Sequence, residues 1–134
     1  MIERLVVLDA SVGVKLFRTE SGSVGARAVL DAHGAGELTV VVDTLFMYEV
    51  VAALCAREGE HVARAAWEAL SDAGVVVLPL TDALMRAAIN IQARLGCSLY
   101  DATSVAVAEL AGATLYSADS RAHGTVPGAV IIGE

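Results

Sequence analysis

Four carboxylates have placements that suggest chemistry. Asp9 closes the apolar run LVVLD, Glu49 and Asp101 interrupt apolar segments of helical spacing, and Asp119 follows the apolar run ATLYS. Around Glu49 stand Met47, Tyr48, Val50 and Val51, and around Asp101 stand Tyr100, Ala102 and Val105, all of which read as buried. A buried carboxylate anion is costly without a partner, and the chain's only lysine is Lys15. Several such acids converging point to a hard divalent cation. An all-oxygen site suits Mg²⁺ or Mn²⁺, whereas Zn²⁺ more often brings His or Cys. Four carboxylates can hold one or two such ions for water activation and for neutralising charge on a phosphodiester.

Each acid also has a plain structural reading. Asp9 can cap the segment SVGVKLF, and Glu49 can form an ion pair or sit on a partly exposed helix face. Asp101 can be a first-turn residue favoured by the helix dipole, and Asp119 can close an Asx-turn. One acid is weak evidence; the set is stronger. Asp43 is read first as a helix cap, although it should lie near the same rim.

The elements that must position these acids follow from the apolar pattern. Strands are expected at residues 5–9, 38–42, 75–79 and 113–117, with a last strand in PGAVII after Val126. Between them lie helical segments: 11–17, 23–33, 45–59, 61–73, 81–96 and 99–112, with a short helix around Asp119 to His123. Alternating buried strands and amphipathic helices indicate an α/β fold, a three-layer α/β/α sandwich on a mostly parallel sheet. In such sheets ligands gather beyond the carboxyl ends of the strands, which places Asp9 and Asp119 on one rim. The 134 residues suffice for a single domain over 1–134.

Composition narrows the function. The net charge of −7 opposes non-specific attraction to phosphate backbones, and aromatics are only 4% of the chain. A nucleic-acid ligand would therefore be met through local arginines, helix N-termini and bound cations. Apolar runs are too short to cross a bilayer or to serve as a secretory core, so a cytoplasmic protein without membrane contact is expected. Cys55 and Cys97 lack the count and spacing of a disulfide framework or zinc site; Cys55 is expected to pack within a helix and Cys97 to lie in a loop. His33, His61 and His123 are expected at helix or turn ends in surface or local hydrogen-bonding roles. A phosphoaspartyl phosphatase would need a second Asp where Ser11 stands and a downstream catalytic lysine, and a receiver domain fails the same test.

The motifs in order resemble a PIN domain, and more narrowly the VapC toxins of bacterial and archaeal toxin–antitoxin pairs. VVLDASVGVKLF is similar to the family's first strand and acid, with Ser11 at a position commonly small or hydroxylated. LFMYEVVAAL resembles the helix of the second acid, LGCSLYDATSVAVAE the stretch of the third, and LYSADSRAHG the final strand and acid. Two positions depart from the pattern: Ser117 stands where Thr is commoner, and Asp43 replaces a frequent Pro. The resemblance implies that Asp9, Glu49, Asp101 and Asp119 bind Mg²⁺ or Mn²⁺ and that water attacks an RNA phosphate in line, leaving a 5′-phosphate and a 3′-hydroxyl. It further implies that Ser11 and Ser117 orient water or a carboxylate and that Arg121 is a possible phosphate contact. A homodimer and a cognate antitoxin that covers the acid groove complete the expectation. The alternatives are a PIN-like binding or scaffold protein without catalysis and a nuclease acting on DNA.

Overall fold

Val6, Val7 and Leu8 are fully or almost fully buried, which is possible only for a strand covered on both faces. This strand, β1 (Leu5–Leu8), is the centre of the molecule. In the computed structural model, which describes residues 4–133, β1 is followed by α1 (Ala10–Lys15), α2 (Ser23–Gly34), β2 (Thr39–Asp43), α3 (Thr44–Glu58) and α4 (Glu60–Asp72). Then come β3 (Val76–Leu78), α5 (Asp82–Leu95), α6 (Leu99–Ala111), β4 (Thr114–Ser117), α7 (Ser120–His123) and β5 (Val130–Ile131). The sheet order is β3-β2-β1-β4-β5, and every pairing is parallel.

Strand side chains alternate between the faces. Val6, Leu8, Val40 and Val42 pack with α1 to α4, while Val7, Val41 and Leu115 pack with α5 and α6. The expected three layers are therefore present. The helix α6 is buried without a break from Ala102 to Ala108, which explains its small and apolar composition.

Helix starts use the residues the sequence offers. Asp43 accepts from the Phe46 N–H at 2.8 Å, Thr81 from Leu84 at 3.1 Å and Ser98 from Asp101 at 3.0 Å. Gly112 ends α6 in the left-handed conformation, φ 65°, which favours glycine. Gly13 serves close approach instead: a Cβ there would lie 2.5 Å from Val50 Cγ2 and 2.7 Å from the Phe46 ring. Its bare backbone lets α1 lie against α3, the helix that carries Glu49.

Several expectations need correction. β3 is not buried; Val76 and Val77 are exposed, because β3 is an edge strand with a neighbour on one side only. Among the described residues the last strand shrinks to Val130–Ile131. Cys55 does lie in α3 but faces solvent, since the neighbouring Leu54 takes the core-facing position. Cys97 lies between α5 and α6 as expected. Among the described residues no helix is long and apolar enough to cross a membrane.

Candidate metal centre at the carboxyl end of the sheet

The chain runs from β1 outward to β2 and β3, then returns to add β4 on the other side of β1. Such a reversal opens a crevice at the strand ends. Asp9 occupies it directly. It caps α1, and its Oδ2 accepts the backbone N–H of Ser11 at 3.1 Å and the Ser11 hydroxyl at 2.6 Å. The Ser104 hydroxyl lies 2.9 Å from its Oδ1. The cap thus uses only Oδ2, and Oδ1 meets a partner from α6.

Ser11 ties this corner to the other side of the crevice: its Oγ accepts the Ala118 N–H at 3.0 Å. Ser104 was not anticipated. It lies three residues after Asp101, on the same face of α6, and its buried hydroxyl is also 3.1 Å from the Asp101 carbonyl oxygen. That i,i+3 spacing was the available signal.

Asp101 stands in the first turn of α6. One of its carboxylate oxygens, one of Asp9 and a ring nitrogen of His123 lie within 4.8 Å of one another. Glu49 comes in from α3. It makes no hydrogen bond or ion pair among the described residues, and its carboxyl is pushed up to about 7 by burial and then by the negative charges of Asp9, Asp43 and Asp101. Asp43, buried beneath, is itself raised by burial despite the stabilising N–H of Phe46. The Cys97 thiol is pushed up by burial and by Asp101.

Asp119 is placed differently. It lies after β4 and caps α7, accepting the Ala122 N–H at 3.1 Å, and it is not a member of the 4.8 Å group. Its backbone N–H donates to Ser117 Oγ at 3.0 Å. His123 departs from the expected surface role: it is fully buried, although its local hydrogen bond to Ser117, at 2.6 Å, fits the expectation. Tyr48 and Tyr100, read as buried neighbours of the acids, are 75% and 61% exposed. Each flanks an inward-facing acid and so points outward on its helix.

None of Asp9, Asp43, Glu49, Asp101 and Asp119 has an ion pair among the described residues. The donor set is hard oxygen, negatively charged and lacking a counter-charge. Asp9 and Asp101, with the His123 ring beside them, form a group that could hold a divalent cation.

Beside the acids, Ser11, Lys15, Glu20, Glu49 and Arg57 line a cavity of about 430 Å³. Lys15 donates to the Ser21 carbonyl at 2.6 Å and pairs with Glu20 at 3.5 Å. Arg57 has no ion pair among the described residues, whereas Arg64, Arg86 and Arg94 each have one and Arg18 has two.

Comparison with solved structures agrees with the topology. VapC20 of Mycobacterium tuberculosis, described as a toxin that cleaves the sarcin-ricin loop, superposes with a TM-score of 0.75 at 22% identity, covering 96% of this chain and 99% of that one. VapBC2 of Rickettsia felis, solved with a fragment of promoter DNA, gives 0.73 at 10% identity over 95% and 96%. FitAcB of Neisseria gonorrhoeae gives 0.69 at 17% identity over 94% and 96%. A comparison with curated proteins by sequence gives no match. The family comparison does: residues 6–125 match the PIN domain, and with the parallel sheet and the acid crevice at its carboxyl end, the chain belongs to the PIN-domain family.

Proposed function

We propose that this protein is a divalent-metal-dependent endoribonuclease and the toxin of a toxin–antitoxin pair, acting in the cytoplasm. The observation that carries the reading is the gathering of Asp9 and Asp101 with Glu49 nearby, none of them ion-paired among the described residues; burial first, and then the charges of Asp9, Asp43 and Asp101, raise the Glu49 carboxyl to about 7. In this reading Asp9, Glu49, Asp101 and Asp119 hold Mg²⁺ or Mn²⁺. The bound ion would supply an activated water and neutralise charge developing on the phosphodiester.

The chain's own residues prepare that site. Ser11 and Ser104 immobilise the two oxygens of Asp9, so the carboxylate is oriented before any ligand arrives. Ser117 holds the backbone of Asp119. Arg57, which lines the adjoining cavity without an ion pair among the described residues, and Arg121, two residues after Asp119, are available to backbone phosphates.

Two partners follow from the same surface. Leu45 and Tyr100 are shared by two adjoining shallow apolar depressions that also involve Leu80, Leu99 and Tyr48, a surface suited to a second copy of the chain in a homodimer. The acidic groove suits an antitoxin segment with a basic side chain. A similar solved structure described as a toxin–antitoxin complex from Klebsiella pneumoniae supports this assignment.

End-mapped cleavage of total cellular RNA, with matched DNA beside it, tests the proposal. Discrete cuts with Mg²⁺ or Mn²⁺, lost with EDTA and in Asp9→Asn, are the expected result. Cuts in DNA alone would reassign the substrate. Neither cleavage nor metal binding would leave a catalytically inactive PIN-like binding or scaffold protein.

A further inference from the structure

His123 lies at the intersection of the two segments that carry Asp101 and Asp119, and both of its ring nitrogens are engaged. Nε2 is 2.9 Å from the main-chain carbonyl oxygen of Asp101. A carbonyl only accepts, so Nε2 carries the proton. Nδ1 is 2.6 Å from Ser117 Oγ. That hydroxyl already accepts the Asp119 N–H at 3.0 Å, and its own proton is then free to go to Nδ1. The series Asp119 N–H to Ser117 Oγ, Ser117 O–H to His123 Nδ1, and His123 Nε2–H to the Asp101 carbonyl is satisfied at every atom.

We infer that His123 is a positioning residue, a buried strut that fixes the start of α6 relative to the end of β4 and so holds Asp101 and Asp119 at the spacing the metal needs. It is not itself a ligand, even though a ring nitrogen lies within 4.8 Å of carboxylate oxygens of Asp9 and Asp101. Coordination would require Nδ1 to give up the Ser117 hydroxyl, or Nε2 to lose its proton and its carbonyl partner. Either change leaves a buried polar group unmatched, for a nitrogen donor that a Mg²⁺-type ion does not prefer. The ring is fully buried, so water cannot replace a lost partner without rearrangement. The spacing Ser117, Asp119, His123 puts all three groups in one turn-and-helix segment; the fourth group, the Asp101 carbonyl, comes from a distant element.

This inference rests on the metal-dependent reading above, and the experiment separates the two. Mn²⁺ affinity is measured by calorimetry for the wild-type full chain and for His123→Phe, Ser117→Ala, Ser117→Thr and Ser117→Ala/His123→Phe, with thermal unfolding beside each. Ring ¹⁵N spectra of wild type are recorded with and without Mg²⁺. Expected are a ring held in the Nε2–H form in both spectra and an affinity loss of about tenfold in His123→Phe and Ser117→Ala. The double variant should be no weaker than His123→Phe, and Ser117→Thr, which keeps the hydroxyl, should restore affinity. If His123→Phe does not fold, the serine pair and the spectra decide alone. Wild-type affinity in folded His123→Phe or in Ser117→Ala, or a ring nitrogen resonance moved to a coordinated value by Mg²⁺, overturns the strut. Absence of Mn²⁺ binding in wild type overturns the metal reading, and the strut's role with it.

Discussion

Asp9 and Glu49 face the same crevice but are held in opposite ways. Asp9 is gripped through both oxygens by Ser11 and Ser104, at the end of the central strand. Glu49 has no polar partner among the described residues and is held only by the packing of α3 on α1 across Gly13. The Asp9 side is organised by hydrogen bonds and the Glu49 side by close packing. The unpaired side carries the electrostatic strain, as its raised carboxyl shows. A cation relieves that strain most where it meets Glu49, so metal affinity should be set by both sides while apo stability responds mainly to Glu49.

The largest expected effect is from Asp9→Asn. It keeps the size and an acceptor oxygen but removes the charge, and should lower RNA cleavage by at least about 100-fold, beyond what outer-shell partners typically contribute. Thermal unfolding should move little, and a large stability loss instead would mean that Asp9 is chiefly a cap. Gly13→Ala attacks the other side of the comparison. Its methyl meets Val50 and Phe46, so the chain should lose about 1–3 kcal/mol in urea unfolding. Its Mn²⁺ affinity should fall as Glu49 is pushed outward, and unchanged affinity would separate Glu49 from the site.

Glu49 also makes the comparison visible in pH. Its carboxyl is raised from 4.5 to about 7 in the fold, so the folded state holds a proton that the unfolded state has released. Without metal, stability is therefore greatest below about 4.5 from this group and declines as pH rises through about 7. Glu49→Gln should remove that decline and stabilise the metal-free protein at pH 8 by on the order of 1 kcal/mol, allowing for solvent screening. An unchanged pH slope would show that another group carries it. The smallest effect is expected from Arg57→Gln, which touches neither carboxylate: KM for RNA should rise about threefold and the salt dependence fall by about 0.7 of a logarithmic slope, with kcat unchanged. Equal loss on changing the ion-paired Arg86 would show that only net charge matters.

The pattern of apolar runs was enough to place all five strands and most helix boundaries within a residue or two, because strand and helix periods are local properties. The four acids were equally visible, since each breaks an apolar run or ends one. Their environments were not. Tyr48 and Tyr100 looked buried from their neighbours, yet both are largely exposed on α3 and α6. Val76 and Val77 belong to a strand sequence like any other, and only the sheet order makes them an edge.

The hydrogen-bond partners divide in the same way. Ser11 and Ser117 lie two residues from the groups they bind, within reach of sequence reasoning. Ser104 to Asp9 spans 95 residues and His123 to the Asp101 carbonyl spans 22, and such pairs exist only once β1, β4 and α6 have converged. Residue types and local periodicity dictated the layers and singled out four acids as candidates, because those depend on short-range sterics and on the cost of burying charge. Which acids meet, which hydroxyl orients each, and which histidine braces them was decided by long-range packing, which brings together groups that carry no trace of one another along the chain.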